Sequence, residues 1–290
     1  MEKNDKKSLL MLVTSMVIYG TIGIFRRYIP LSSAMLACYR GISGACFLIL
    51  IAKLQRKSLR HGIGWGKVLG LVLTGAMIGV NWILLFEAYN CTTVATATLC
   101  YYMEPTIVVL CSPFFFKEKL TGRKLVCSII AIVGMFFVSG MVDSGIPGAG
   151  ELRGILCGLG AAAIYASVVM INKKLPGIDA YEKTAIQLAS AGLVVVPYVL
   201  LTEDITQVSL DSRAILLLLV VGLVHTGIAY VLYFGSMDGL KAQSVALISY
   251  LDPVVALLLS PILLHESMTL FGLIGAIMIL GAAVISELAE

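Results

Sequence analysis

Ten stretches of apolar residues follow one another along the chain, separated by short polar breaks. Their approximate limits are 9–29, 34–52, 67–87, 93–116, 123–141, 152–172, 181–201, 213–235, 243–264 and 270–287. Each is close to the roughly 20 residues of helix that cross a bilayer. A membrane barrel would show ten-residue segments in which apolar and polar positions alternate. Here runs such as Ile215 to Leu223 and Leu273 to Ile285 are apolar on every side. The pattern therefore predicts an all-α membrane protein with ten transmembrane helices and no soluble domain or disordered tail. The basic stretch Met1 to Lys7 ahead of the first apolar run has the look of a secretion signal. Leu9 to Phe25 lacks a small-residue cleavage site, however, and nine further segments follow, so it is read as the first transmembrane helix.

Composition agrees. Of 290 residues, 59% are hydrophobic and 13% charged, with a mean hydropathy of +0.97. That charge is about half the roughly 25% of soluble domains, too little for a hydrated shell. The net charge of +4 does not signal nucleic-acid binding, because the basic residues sit in loops. The seven cysteines lie mostly inside apolar runs without C-x-x-C spacing and read as small packing residues, so no metal site is expected. Lysine and arginine bias fixes orientation. Sixteen basic residues fall on the side of the N-terminus, four (Arg26, Arg27, Arg153, Arg213) on the other, and Arg40 lies within the second segment. This predicts a multi-pass plasma-membrane protein with both termini cytoplasmic.

The chain also repeats itself. Tyr102-Met-Glu-Pro105 aligns with Tyr250-Leu-Asp-Pro253 at an offset of 148, which also pairs Phe86 with Phe234, Pro113 with Pro261, Glu118 with Glu266 and Thr121 with Thr269. Ile18-Tyr19 matches Ile164-Tyr165 at an offset of 146. The Gly/Pro-rich stretch 142–151 separates the copies, giving units of 1–146 and 147–290 with five helices each. An odd number of spans makes the second unit enter the membrane from the opposite face, the inverted-repeat plan of many transporters.

The stretch Phe86-Glu-Ala-Tyr…Val94-Ala-Thr-Ala…Pro105…Pro113…Lys117-Glu-Lys-Leu-Thr121, with its echo Tyr233-Phe-Gly-Ser…Ala242-Gln-Ser-Val-Ala246…Pro253…Pro261…His265-Glu-Ser-Met-Thr269, resembles the EamA family of the drug/metabolite transporter superfamily, twice over the whole length. Arg40 resembles the family's recurrent second-helix arginine. The resemblance implies a ten-helix basket with cytoplasmic termini and a solute cavity lined mainly by segments 1, 3, 4, 6, 8 and 9. Glu104 departs from the small or apolar residue expected before the proline.

Polar groups at membrane depth are costly and so are functional candidates. Glu104 and Asp252 lie near the middle of their segments. Each precedes a proline, Pro105 and Pro253, that leaves the carbonyl of Tyr101 or Ser249 without its helical partner. A kink with free carbonyls beside a carboxylate suits substrate or proton; the plainer reading is a shaped helix with a capping acid. Glu104 either holds a proton until a cationic group arrives or pairs permanently with Arg40. Glu87, near the outer end of the third segment, either reaches interfacial water, pairs with Arg40 or meets substrate. His225 is either a proton relay or a packing residue. Tyr19, Tyr165, Tyr102, Tyr250, Asn81 and Trp82 complete the expected cavity wall, although any single tyrosine can equally be packing with its hydroxyl satisfied.

No P-loop, H-E-x-x-H or G-x-S-x-G motif is present, so neither nucleotide hydrolysis nor a cofactor is expected. The leading function is a secondary transporter of a small organic solute (an amino acid, an amine or a related metabolite), driven by protons or by exchange. An intramembrane enzyme using Glu104, Asp252 and His225, or a non-transporting receptor, is the alternative. Gly66-x-x-x-Gly70, Gly75-x-x-x-Gly79 and Gly154-x-x-x-Gly158 are assigned to packing within one protomer, which leaves a monomer or weak homodimer.

Overall fold

A computed structural model describes residues 3–54, 64–92, 94–138, 142, 151–204, 206, 208–263 and 269–288. Among them every regular element is helical: α1 (Lys3–Arg27), α2 (Ser33–Leu54), α3 (Trp65–Cys91), α4 (Val94–Tyr101), α5 (Glu104–Phe116), α6 (Gly122–Val138), α7 (Leu152–Lys173), α8 (Ala180–Thr202), α9 (Ser212–Ser236, π-helical over Val221–Ile228), α10 (Ala242–Ser249), α11 (Leu251–Leu263) and α12 (Leu270–Leu288). All ten apolar segments are thus helical. Eight of them, counting α4–α5 and α10–α11 as single spans, are long and apolar enough to cross a membrane, and α12 holds a shorter apolar stretch. The linker 142–151, except its end residues, and the basic loop residues Arg56, Lys57 and Arg60 lie outside the described residues.

Helix starts follow local chemistry. Asp179 caps α8 by accepting from the Tyr181 amide, and Asp211 caps α9 by accepting from the Ala214 amide at 2.7 Å. Thr121 accepts from the Lys124 amide at 3.3 Å and Thr269 from the Gly272 amide at 3.1 Å, so positions related by the offset of 148 begin α6 and α12 in the same way.

The fourth and ninth segments are not single kinked helices. Each breaks just ahead of its acid–proline pair, at Tyr102-Met103 and at Tyr250. Starting a new helix there places Pro105 and Pro253 in a first turn, where a missing N–H leaves no ladder bond unmade. It also puts Glu104 and Asp252 in first turns, at the positive end of a helix dipole.

The two halves of the chain interlock rather than sit side by side. α3 packs on α7 and α8 while α9 packs on α1 and α2; α5 pairs with α10, α2 with α8, and α6 with α12. Exchanging the halves maps this set of contacts onto itself when α4–α5 and α10–α11 are each taken as one segment. Large apolar residues such as Leu69, Phe114, Leu193 and Leu201 point outward and stay exposed, a surface suited to lipid rather than water.

Small residues permit the closest crossings. A Cβ at Gly75 would lie 2.5 Å from the Gln187 carbonyl oxygen, and one at Gly79 would lie 2.8 Å from that of Ala191, where α3 crosses α8. Gly154 and Gly158 meet Thr92 and Cys100 in the same manner. Gly66 faces open space, so the first of the three small-residue motifs makes no close crossing through that residue. Gly75→Ala is accordingly expected to destabilise the protein by about 1–3 kcal/mol, the ordinary cost of overpacking. Gly66→Ala should leave stability unchanged or slightly raised. Thermal unfolding of the two purified variants in detergent distinguishes them, and equal midpoints would count against this crossing.

Candidate functional site

A cavity of about 330 Å³ lies where the broken helices meet. Five pairs of residues related by the internal repeat stand in its wall. Tyr19 and Tyr165 stand at the offset of 146; Trp82 and Tyr230, Leu85 and Tyr233, Tyr101 and Ser249, and Glu104 and Asp252 stand at 148. The remaining lining residues, among them Ile22, Gly23 and Arg26 of α1, Ser33 to Arg40 of α2, and Phe86 and Tyr89 of α3, extend it toward the α1–α2 loop. Gly20 sets α1 against the second helix break: a Cβ there would come within 2.7 Å of the Asp252 carbonyl oxygen.

The opposite end is packed. Val168, Val169 and Asn172 are the repeat counterparts of Ile22, Gly23 and Arg26; Phe234 and Met237 are those of Phe86 and Tyr89. All five are buried. Polar ties hold that end. Glu118 accepts from the backbone amides of Ala242 at 2.9 Å and Gln243 at 3.3 Å, and the Gln243 side-chain Nε2 donates to the Ser112 hydroxyl at 2.5 Å. Lys173 donates to the carbonyls of Met237, at 3.2 Å, and of Leu240. Further along, Gln187 donates to Thr74 at 2.6 Å and to Asn172 at 2.9 Å, linking α8 to α3 and α7.

Within the cavity the two acids differ. Asp252 accepts a hydrogen bond from the Tyr102 hydroxyl at 2.9 Å. Glu104 lines the cavity with 6% of its surface exposed and has no hydrogen-bond or ion-pair partner among the described residues. Arg40 donates through Nε to the Thr226 hydroxyl at 3.0 Å and lies 5.8 Å from the Trp82 ring centre. Thr226 passes that bond on to the Val221 carbonyl at 3.0 Å, a five-residue step that belongs to the π-helical turn. Tyrosine rings form the rest: Tyr19 meets Tyr230 edge-on at 5.5 Å, and Tyr165 stacks on Tyr233 at 6.5 Å.

Of the residues singled out from sequence, Tyr19, Arg40, Trp82, Tyr102, Glu104, Pro105, Tyr165 and Asp252 line the cavity. Five do not. Asn81 is buried and donates to the Ala161 carbonyl at 2.7 Å, fastening α3 to α7. His225 shares a hydrogen bond of 2.8 Å with Thr21 and packs edge-on against Phe25. Tyr250 pairs with Thr106 at 2.8 Å behind the wall, and Pro253 shapes α11. Glu87 lies outside the cavity, accepting from Tyr198 at 2.7 Å and facing Arg153 at 3.5 Å; neither it nor Glu104 bridges to Arg40. Asn81, His225 and Tyr250, expected at the cavity wall, lie off it here, whereas Glu87 and Pro253 had structural readings open. Tyr230 and Tyr233 were not named as wall residues, although applying the 148-residue offset to Trp82 and Leu85 finds them.

These features define a multi-pass helical membrane protein with a one-sided cavity at paired helix breaks. The chain belongs to the EamA-like transporter family, whose model matches it twice, over residues 6–140 and 152–287. It is 28% identical over 285 residues to the uncharacterized transporter YxxF of Bacillus subtilis (strain 168), covering 96% of this chain and 88% of that one. It is 26% identical over 273 residues to protein PecM of Dickeya dadantii (strain 3937), covering 92% and 87%. A crystal structure of a protein 18% identical in sequence shares the fold, with a TM-score of 0.87 over 98% of this chain and 97% of that one.

Because Glu87 belongs to a partly exposed pair away from the cavity, Glu87→Gln is expected to cost at most about 1 kcal/mol in thermal unfolding. Solute flux should stay within about twofold of wild type, under 0.5 kcal/mol. A loss as deep as that caused by Asp252→Asn would place Glu87 in the solute path.

Proposed function

We propose that the protein is a secondary transporter of a small organic solute, working by alternating access in the plasma membrane. The observation that carries this reading is the unequal fate of equivalent positions. Residues that line the open mouth in one repeat have counterparts that are packed shut at the other end of the cavity. A two-fold exchange of the repeats, 1–146 for 147–290, converts one arrangement into the other, which is what alternating access through inverted repeats requires. The two family matches, one per repeat, support the same plan, as do relatives that carry the name transporter.

Ten spans with cytoplasmic termini fit this reading. The basic side of the chain is then the closed end and the cavity mouth faces outward. Tyr19, Trp82, Tyr102, Glu104, Tyr165 and Asp252 contact solute, with Arg40 beside them, while Asn81, His225 and Tyr250 hold the wall from behind. Because the interlocked helices leave neither sequence half free as a body, the moving units are mixed bundles, α3–α4–α5–α7 against α9–α10–α11–α1. No nucleotide-binding motif is present in the sequence, so the energy comes from protons or from exchange. An enzyme reading has less support, because the acids and His225 do not converge: His225 is turned away toward Thr21 and Phe25.

Purified protein in proteoliposomes, screened for uptake of amines, amino acids and nucleobases without nucleotide, is expected to show saturable flux of at least one class; retention of none would end the transport reading. Orientation has its own test. In intact cells bearing single cysteines in a cysteine-free background, an impermeant maleimide should label Ser209→Cys and spare Pro176→Cys, which flank opposite ends of α8. The reverse pattern would invert the topology.

A further inference from the structure

Every acid around the cavity except one is engaged. Asp252 is held by Tyr102, Glu87 by Tyr198 and Arg153, and Glu118 by the first amides of α10. Glu104 alone presents a carboxyl group to the cavity with no donor opposite it among the described residues. The nearby cation does not answer it. Arg40 is engaged by the Thr226 hydroxyl and the Trp82 ring instead. Of the four charged groups that line the cavity, Arg26 donates to the Ile29 carbonyl at 3.0 Å, Arg40 donates to Thr226, Asp252 is held by Tyr102, and Glu104 is left without a partner among the described residues. An unpartnered carboxylate at membrane depth calls for a counter-ion.

The surroundings of Glu104 select the kind of counter-ion. Tyr101 and Tyr233 line the cavity with it, and each meets the ring of Tyr165, at 6.3 and 6.5 Å. Aromatic faces attract an organic ammonium through the ring quadrupole, and more strongly where water is excluded. They offer nothing comparable to a metal cation, which seeks several oxygen ligands. The volume, about 330 Å³, lies at the lower end of ordinary small-molecule pockets, roughly 300–1,000 Å³.

The geometry points to a monocationic organic amine as the solute, its ammonium seated against Glu104 among Tyr101, Tyr165 and Tyr233 and its apolar body lying toward Trp82 and Tyr230. This rests on the transport reading above and deepens it. Arg40 is a positioning residue in this arrangement. Its Thr226 bond and the Trp82 ring hold it in the wall, away from Glu104. A free acid is repelled by the unpaired carboxylate, and a zwitterion gains its ammonium contact only by bringing a further carboxylate into a cavity whose two arginines already donate to protein oxygens.

A matched set of probes tests this: phenethylamine, phenylalanine and phenylacetate, which share one ring and differ in charge. Binding to the purified full-length protein is read by calorimetry, and counterflow of the same compounds is read in proteoliposomes. Phenethylamine should bind at least tenfold more tightly than phenylalanine or phenylacetate, a difference of about 1.4 kcal/mol. Glu104→Gln, matched in shape, should remove most of that preference while unfolding at the wild-type temperature without ligand. Tyr165→Phe should keep the amine affinity and Tyr165→Leu should weaken it, which separates ring electrostatics from a general loss of packing. Equal or tighter binding of phenylalanine, amine binding that survives Glu104→Gln, or failure of the wild type to bind the amine would each overturn the assignment. Counterflow of another solute in those cases leaves the transporter reading standing, whereas absence of flux for every solute in the wider screen would remove both.

Discussion

A chain that lives in hydrocarbon has to satisfy its backbone hydrogen bonds from within, and this constraint governs the rest of the structure. Unbroken helix satisfies it everywhere, so any interruption needs a reason and a shelter. Both internal interruptions of the apolar segments occur next to an acid–proline pair, and both are sheltered on one cavity. Tyr102 and Tyr250, the residues at the breaks, turn their hydroxyls to the opposite half of the chain, onto Asp252 and Thr106. Each break is therefore completed by side chains from the other repeat. Neither half makes its part of the cavity without its counterpart.

That dependence explains the interlocked packing. If the repeats were independent bundles, the contacts would be heaviest within each, and the cavity would be a cleft between two bodies. Here α3 lies between α7 and α8 while α9 is laid against α1 and α2. Little hydrophobic effect drives helices together inside lipid, so close approach of small residues and a few polar bonds must do so. Gly75 and Gly79 against α8, and Asn81 against the Ala161 carbonyl, are contacts of this kind. They cluster on α3, which packs against both α7 and α8 of the opposite half.

The sequence exposed the ten apolar segments and the duplication, because each depends only on position along the chain. It did not expose which way a side chain faces. A helix apolar all round carries no stripe to mark its buried side, so Asn81 lies off the wall on which it was expected, and of the two readings of His225 the structure shows packing against Thr21 and Phe25. Arg40 found a hydroxyl, Thr226, rather than the carboxylate of Glu87, because Thr226 sits in a π-helical turn whose wider spacing brings it round to α2. An extra residue per turn also shifts the face presented after it, so a regular 3.6-residue count through Val221–Ile228 misassigns Tyr230 and Tyr233. The repeat offset recovers them because it compares whole segments and does not count turns.

The two repeats are alike in backbone and unlike in sequence, and that inequality has an energetic meaning. Identical repeats would make the two ends of the cavity interchangeable, with equal populations open to either side. At one related pair of positions the chain has Arg26 in the mouth and Asn172 in the packed end, where Asn172 is completed by Gln187. Packing the mouth as tightly as the far end would draw a guanidinium out of water, a step that costs several kcal/mol unless a partner is found. Under the proposed alternating access, the empty protein therefore leans toward the state that keeps Arg26 at the mouth. On that reading a solute that drives the opposite state must supply the difference from its own binding energy, so the resting bias and the affinity of the cavity are two sides of a single free-energy balance.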